Sequence, residues 1–122
     1  MIVVDSAVWI DHYHHGSEQL TELMAFKAAL MHPFVLGEIA LGTLRDRAAF
    51  LDSATDLPLP PIAEPQEVLN LIASAALHGT GIGYVDAHLV AATMLIENGA
   101  LWTTDRRLNA VARRIGIAFD TP

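Results

Sequence analysis

The chain has 122 residues, 52% of them apolar, with no cysteine and a formal net charge of −7. That length makes one domain with a real core, burying roughly two-thirds of the surface of the unfolded chain. The composition excludes disulfides and thiolate chemistry and a membrane-spanning helix, for want of roughly 18 consecutive apolar residues, and it argues against a broad polyanion-binding surface.

Residues 2–4, Ile2-Val3-Val4, form an unbroken β-branched run that reads as a strand buried on both faces and ends at Asp5. Ser6 is a suitable N-cap for a short helix over residues 7–13. Gly16-Ser17-Glu18 marks a stop and a new start; Leu20, Leu23, Met24 and Ala28 then share one face of a second helix. Residues 29–32 read as a short strand. Pro33 fits the first turn of a helix over 34–41, apolar except for Glu38, and residues 45–54 read as another. The prolines of 57–61 confine that stretch to an edge strand or a loop. Pro65 opens a long helix with Val68, Leu69, Leu71, Ile72, Ala75 and Ala76 as its buried stripe. Residues 78–83 are a flexible, glycine-rich connector. A helix over 84–97 closes at Asn98-Gly99, a strand follows over 100–104, a helix over 106–115 stops at Gly116, and 117–119 is a last short strand. Strands alternating with helices, without tight hairpin signals, predict a single α/β domain with a parallel sheet of about four to five strands and helices on both faces.

Four acids stand out against this pattern. Asp5 and Asp105 each follow an apolar strand and precede a helix. Asp86 lies near the start of an otherwise mostly apolar helix, and Glu38 on a helix that should be largely buried. Helix capping accounts for Asp5 or Asp105 taken alone. It serves Glu38 and Asp86 less well, because carboxylates are rarely buried unpaired and no Lys or Arg lies within four residues of Asp5, Glu38 or Asp86. In open parallel sheets ligands bind at the carboxyl ends of the strands, near a reversal in strand order. Should the four converge there, two carboxylates about 4 Å apart repel by roughly 4 kcal/mol at an effective dielectric near 20. Oxygen-only ligands then call for a hard divalent ion, Mg²⁺ or Mn²⁺, and such an ion suits phosphate chemistry.

These residues carry a family resemblance that runs the length of the chain, residues 1–122. Val3-Val4-Asp5-Ser6, His32-Pro33-Phe34-Val35-Leu36-Gly37-Glu38, Tyr84-Val85-Asp86-Ala87-His88 and Leu101-Trp102-Thr103-Thr104-Asp105-Arg106-Arg107 resemble, in that order, the motifs of PIN-domain ribonucleases, specifically VapC-type toxins of toxin–antitoxin pairs. The resemblance implies a metal-dependent endoribonuclease with Asp5, Glu38, Asp86 and Asp105 around Mg²⁺ or Mn²⁺, the ion being held by Asp5, Asp86 and Asp105. Thr103 matches the family's hydroxyl residue before the last acid, and Ser6 the small or hydroxyl position after the first. The resemblance further implies a homodimer, a VapB-type antitoxin, and a structured RNA such as tRNA cut in a single-stranded loop, where splayed bases can be read.

The apolar surplus likewise fits a covered homodimer surface, and a start with no basic n-region predicts a cytoplasmic protein. Four of the seven basic residues, Arg106, Arg107, Arg113 and Arg114, follow Asp105 closely. Arg106 and Arg107 are candidates for RNA phosphates, against the plainer reading of a solvated face. His12, His14 and His15 read as a solvated helix end rather than a zinc site, which needs three or four ordered ligands. His88 reads as structural and Trp102 as core, while Trp9 and Tyr13 would serve the core, a dimer or an RNA groove. Two other readings compete. One keeps the fold as a catalytically silent module whose acidic pocket captures a partner's arginines. The other is a phosphatase or receiver domain, disfavoured by Ala7, which breaks an Asp-x-Asp signature at Asp5, and by the place of the single lysine, Lys27, in a helix before the second strand.

Overall fold

The computed structural model describes residues 1–120. In chain order the elements are β1 (Ile2–Val4), α1 (Ser6–His15), α2 (Glu18–Ala25), β2 (Ala29–Leu30), α3 (Pro33–Leu41), α4 (Arg47–Ala54), α5 (Pro65–Ser74), α6 (Tyr84–Met94), β3 (Ala100–Trp102) and α7 (Arg106–Arg114). The sheet is parallel, in the order β2-β1-β3. Val3 pairs with Leu30 on one side and with Leu101 on the other.

The sheet has three strands among the described residues, not four to five. Two expected strands are reduced for identifiable reasons. Residues 117–119 join β3 only through a bridge from Ala118 to Leu101. In the proline-rich stretch at 57–61, the Pro58 carbonyl accepts from Met31 N–H at 2.9 Å, but the prolines have no N–H with which to continue a ladder. β2 stops at Leu30 because His32 turns to cap α3, its Nδ1 accepting from Phe34 N–H at 3.0 Å. Asp5, rather than Ser6, caps α1. In α5 the stripe is Val68 backed by the half-buried Leu71, Ile72 and Ala75. Leu69 is exposed, as is Ala76, which lies past the helix end at φ 52°.

Val3 and Val4 are fully buried, as a strand flanked on both sides requires. α6 packs on β1 and β3 and is buried from Ala87 through Thr93; a helix apolar on nearly every side belongs inside. Trp9 is core, and its indole N–H donates to the Val4 carbonyl at 3.0 Å. Trp102 is half-buried against Phe119. At the end of α1, His12 Nδ1 accepts from Ser17 N–H and His15 pairs with Asp11, so these histidines serve the local chain.

Candidate active site

β1 is the central strand. The chain places β2 on one side of it and later returns to place β3 on the other, so strand order reverses between β1 and β3. At that reversal the carboxyl ends of the strands open a crevice. Asp5 leaves β1 there, and Thr103, Thr104 and Asp105 leave β3 there.

Asp5 is buried, and both its oxygens are engaged. Oδ1 accepts from Ser6 N–H at 2.8 Å, and Oδ2 accepts from the Thr103 hydroxyl at 2.7 Å. The Thr103 oxygen in turn accepts from Asp105 N–H at 3.0 Å. Asp105 Oδ1 caps α7, accepting from Leu108 N–H at 2.9 Å. Capping and site membership therefore coexist at Asp5 and at Asp105. A carboxylate has about four lone-pair positions, and a cap occupies one of them.

α6 brings its first turn to the same strand ends. Asp86 Oδ2 accepts from Gly83 N–H at 3.1 Å, which fixes the side chain over the helix start. Burial raises the Asp86 pKa above its ordinary value, and the negative charges of Asp5 and Asp105 add to that, against the pull of the Gly83 N–H. Glu38 comes from α3. Its helix buries only Val35 and Ile39, while Phe34, Gly37, Glu38 and Leu41 are exposed, which corrects the expectation of a largely buried helix: Glu38 stands at the rim of the site, on the side of α3 turned away from the core. Its pKa is raised by partial burial and then by Asp5 and Asp86, offset in part by the Ser6 hydroxyl. Each acid is thus felt by another, and the four share one locus.

Among the described residues no ion pair reaches that locus: Arg113 pairs with Asp120 and His15 contacts Asp11, both away from it. The chain belongs to the PIN-domain family. Its residues 2–114 match the family model described as PIN domain. It is also 39% identical over 119 residues to Ribonuclease VapC32 of Mycobacterium tuberculosis, in strains CDC 1551 / Oshkosh and ATCC 25618 / H37Rv, an alignment covering 98% of this chain and 96% of the relative.

The donor set of this PIN domain, four carboxylates and two hydroxyls, is all oxygen and suits a hard divalent ion. Among the described residues no three His, Cys, Asp or Glu side chains are gathered closely enough to enclose an ion.

Beside the acids lies an open cleft of about 960 Å³, lined by Thr80 and Gly81 of the connector, by Arg106, Arg107 and Ala110 of α7, and by Asp86 and Asp105. Arg114 at its margin is occupied, donating to the carbonyls of Ala75 (2.7 Å) and Ala76 (3.4 Å) past the end of α5. The glycine-rich connector, read from sequence only as flexible, is thus a wall of the cleft. Also unforeseen is an aromatic cluster joining the starts of α3 and α6: His32 packs on Phe34, and His88 packs edge-on to Phe34 and Tyr84. His32 and His88 are both buried. The apolar neighbours at 34 and 84 were the available signal for it.

Proposed function

We propose that this PIN domain is a metal-dependent endoribonuclease toxin of the VapC type, hydrolysing phosphodiester bonds in a structured RNA such as tRNA and neutralised by a VapB-type antitoxin. The observation that carries the reading is the convergence of Asp5, Glu38, Asp86 and Asp105 at the strand-order reversal, none of them in an ion pair among the described residues, in a chain 39% identical over 119 residues to a ribonuclease.

Asp5, Asp86 and Asp105 would hold Mg²⁺ or Mn²⁺, with Glu38 at the rim. A divalent ion bound there supplies Lewis acidity toward a phosphoryl oxygen and lowers the pKa of water for in-line attack. The chain's own contribution is orientation. Thr103 fixes Asp5, the Gly83 N–H fixes Asp86, and Leu108 N–H fixes Asp105. Hydrogen bonds of this kind set the aim of metal-binding side chains. Arg106 and Arg107, on the cleft wall, attract the RNA backbone locally in an otherwise acidic protein. An RNA substrate assigns the activity to the cytoplasm. The apolar excess, with Met94 and Leu95 exposed at a shallow groove between α5 and α6, favours a homodimer, which sedimentation would detect.

The test is incubation of purified, antitoxin-free protein with total bacterial RNA in Mg²⁺, in Mn²⁺ and in EDTA, beside an Asp5→Asn control. Discrete fragments that need metal and are missing from the control support the reading. Intact RNA in every lane, from a folded protein that binds no metal, rejects it in favour of a silent module that captures a partner's arginines.

A further inference from the structure

The four arginines of the C-terminal segment divide cleanly. Arg113 and Arg114 lie in the last turn of α7, where cations complement the helix dipole, and both are engaged: Arg113 with Asp120 at 3.1 Å and Arg114 with the Ala75 carbonyl. Arg106 and Arg107 lie in the first turn, where the dipole disfavours cations. They are exposed, line the cleft beside Asp86 and Asp105, and have no ion-pair or hydrogen-bond partner among the described residues. Helix stability does not account for their position.

The two differ in support. The Arg107 side chain lies directly on Gly81. A Cβ built there would fall 2.7 Å from Arg107 Cδ, 2.9 Å from Nη1 and 3.1 Å from Nε, so a side chain at 81 would displace the Arg107 side chain from this position. Gly81 also has φ +88°, a conformation side-chain-bearing residues rarely adopt. The connector therefore brings a bare backbone against the guanidinium stem, and Arg107 is the better supported of the pair although Arg106 adjoins Asp105 in sequence.

We propose that Arg107, seated on Gly81, is a substrate-positioning residue that binds a phosphate of the RNA strand next to the one held at the acids, in the cleft that the connector and α7 line together. This rests on the ribonuclease reading. The guanidinium offers a rigid fork of donors matched to phosphate oxygens. A stem packed against backbone has less rotamer freedom to lose on binding. The unpaired acids lining the cleft repel phosphate until they hold a cation, so the arginine and the ion act at adjacent places on one strand.

Gly79 provides a matched control. It is also left-handed, at φ +75°, but a Cβ there meets nothing within 4 Å. Binding of a labelled single-stranded RNA oligonucleotide is measured by anisotropy over a salt series, with Mg²⁺ present and Asp5→Asn as the background. Cleavage of total RNA is measured in the active protein. Arg107→Ala is expected to weaken binding about tenfold and to lessen the slope of log affinity against log salt by about 0.7, the value for one phosphate contact on a single strand. Arg107→Lys restores the slope but not the full affinity. Gly81→Ala lowers affinity in the same direction while Gly79→Ala does not, and in an Arg107→Ala background the two glycine variants become equivalent. Thermal melts accompany each protein.

An unchanged salt slope in Arg107→Ala overturns the phosphate contact. Equal behaviour of Gly81→Ala and Gly79→Ala overturns the seat, as does a Gly81→Ala that fails to fold where Gly79→Ala folds. If the wild-type protein neither binds nor cuts RNA, the ribonuclease reading falls and takes this inference with it. If it cuts and Arg107→Ala cuts equally well, this inference alone falls.

Discussion

Thr103 donates its hydroxyl proton to Oδ2 of Asp5 over 2.7 Å in space and 98 positions in sequence, and the Thr103 hydroxyl oxygen itself accepts from Asp105 N–H. One hydroxyl thereby joins the acid after β1 to the acid after β3. Replacing it by Thr103→Val keeps the shape and leaves the buried carboxylate without its donor. The expected cost is about 1–3 kcal/mol of stability, with cleavage reduced about 10–100-fold. Thr103→Ser should recover most of both. Denaturant melts and cleavage rates across a metal titration check this, and a Thr103→Val protein with wild-type rates at low metal would contradict it.

A cluster of unneutralised carboxylates is a cost that a bound cation removes. Mn²⁺ at about 100 times its dissociation constant should stabilise the protein by about 2.7 kcal/mol, reversed by EDTA. Asp86→Asn should abolish that increment and yet melt no lower than the metal-free wild type. Asn can still accept from the Gly83 N–H, and one repelling charge is gone. Calorimetry with and without metal separates the two effects.

The raised pKa values of Glu38 and Asp86 have a definite sign in stability. Both groups hold protons more tightly folded than unfolded. Between the ordinary carboxylate pKa and the raised one the folded state carries more protons, so metal-free stability declines as pH rises through that window and levels off above it. Metal binding needs the deprotonated carboxylates, so affinity rises over the same window. A series of melts in EDTA and in Mn²⁺ should show opposite trends, and Glu38→Gln with Asp86→Asn should flatten both.

His32 acts in the contrary sense. Burial, and then the neighbouring His88, lower its pKa to about 4, and its Nδ1 accepts from Phe34 N–H, which requires the neutral ring. The unfolded state therefore carries the extra proton between about 4 and about 6.5. Stability tied to His32 is complete above the unfolded pKa and is lost as pH falls through that window. Asn is a good N-cap and does not titrate there. His32→Asn should thus remove this acid-side loss, whatever its effect at neutral pH. Urea melts at several pH values test the difference in slope.

Much of the architecture was written locally. Ile2-Val3-Val4 and Ala100-Leu101-Trp102 are too apolar to be anything but covered strands, and Pro33, Ser17 and the apolar run through α6 mark helices by capping and burial that act within a few residues. The four acids were also legible, because a carboxylate in an apolar segment without a nearby cation asks for a partner. What sequence could not carry was any relation between distant segments. The sheet has three strands because the prolines near 58 and the single bridge at Ala118 do not sustain a ladder, a matter of which backbone groups face one another. Glu38 is at the rim because α3 turns its other side to the core. Of four similar arginines, two are spent on Asp120 and the Ala75 carbonyl and one rests on Gly81. Composition and periodicity report what a residue prefers. Only the tertiary structure decides what it meets, because contacts across tens of residues depend on packing that no local pattern encodes.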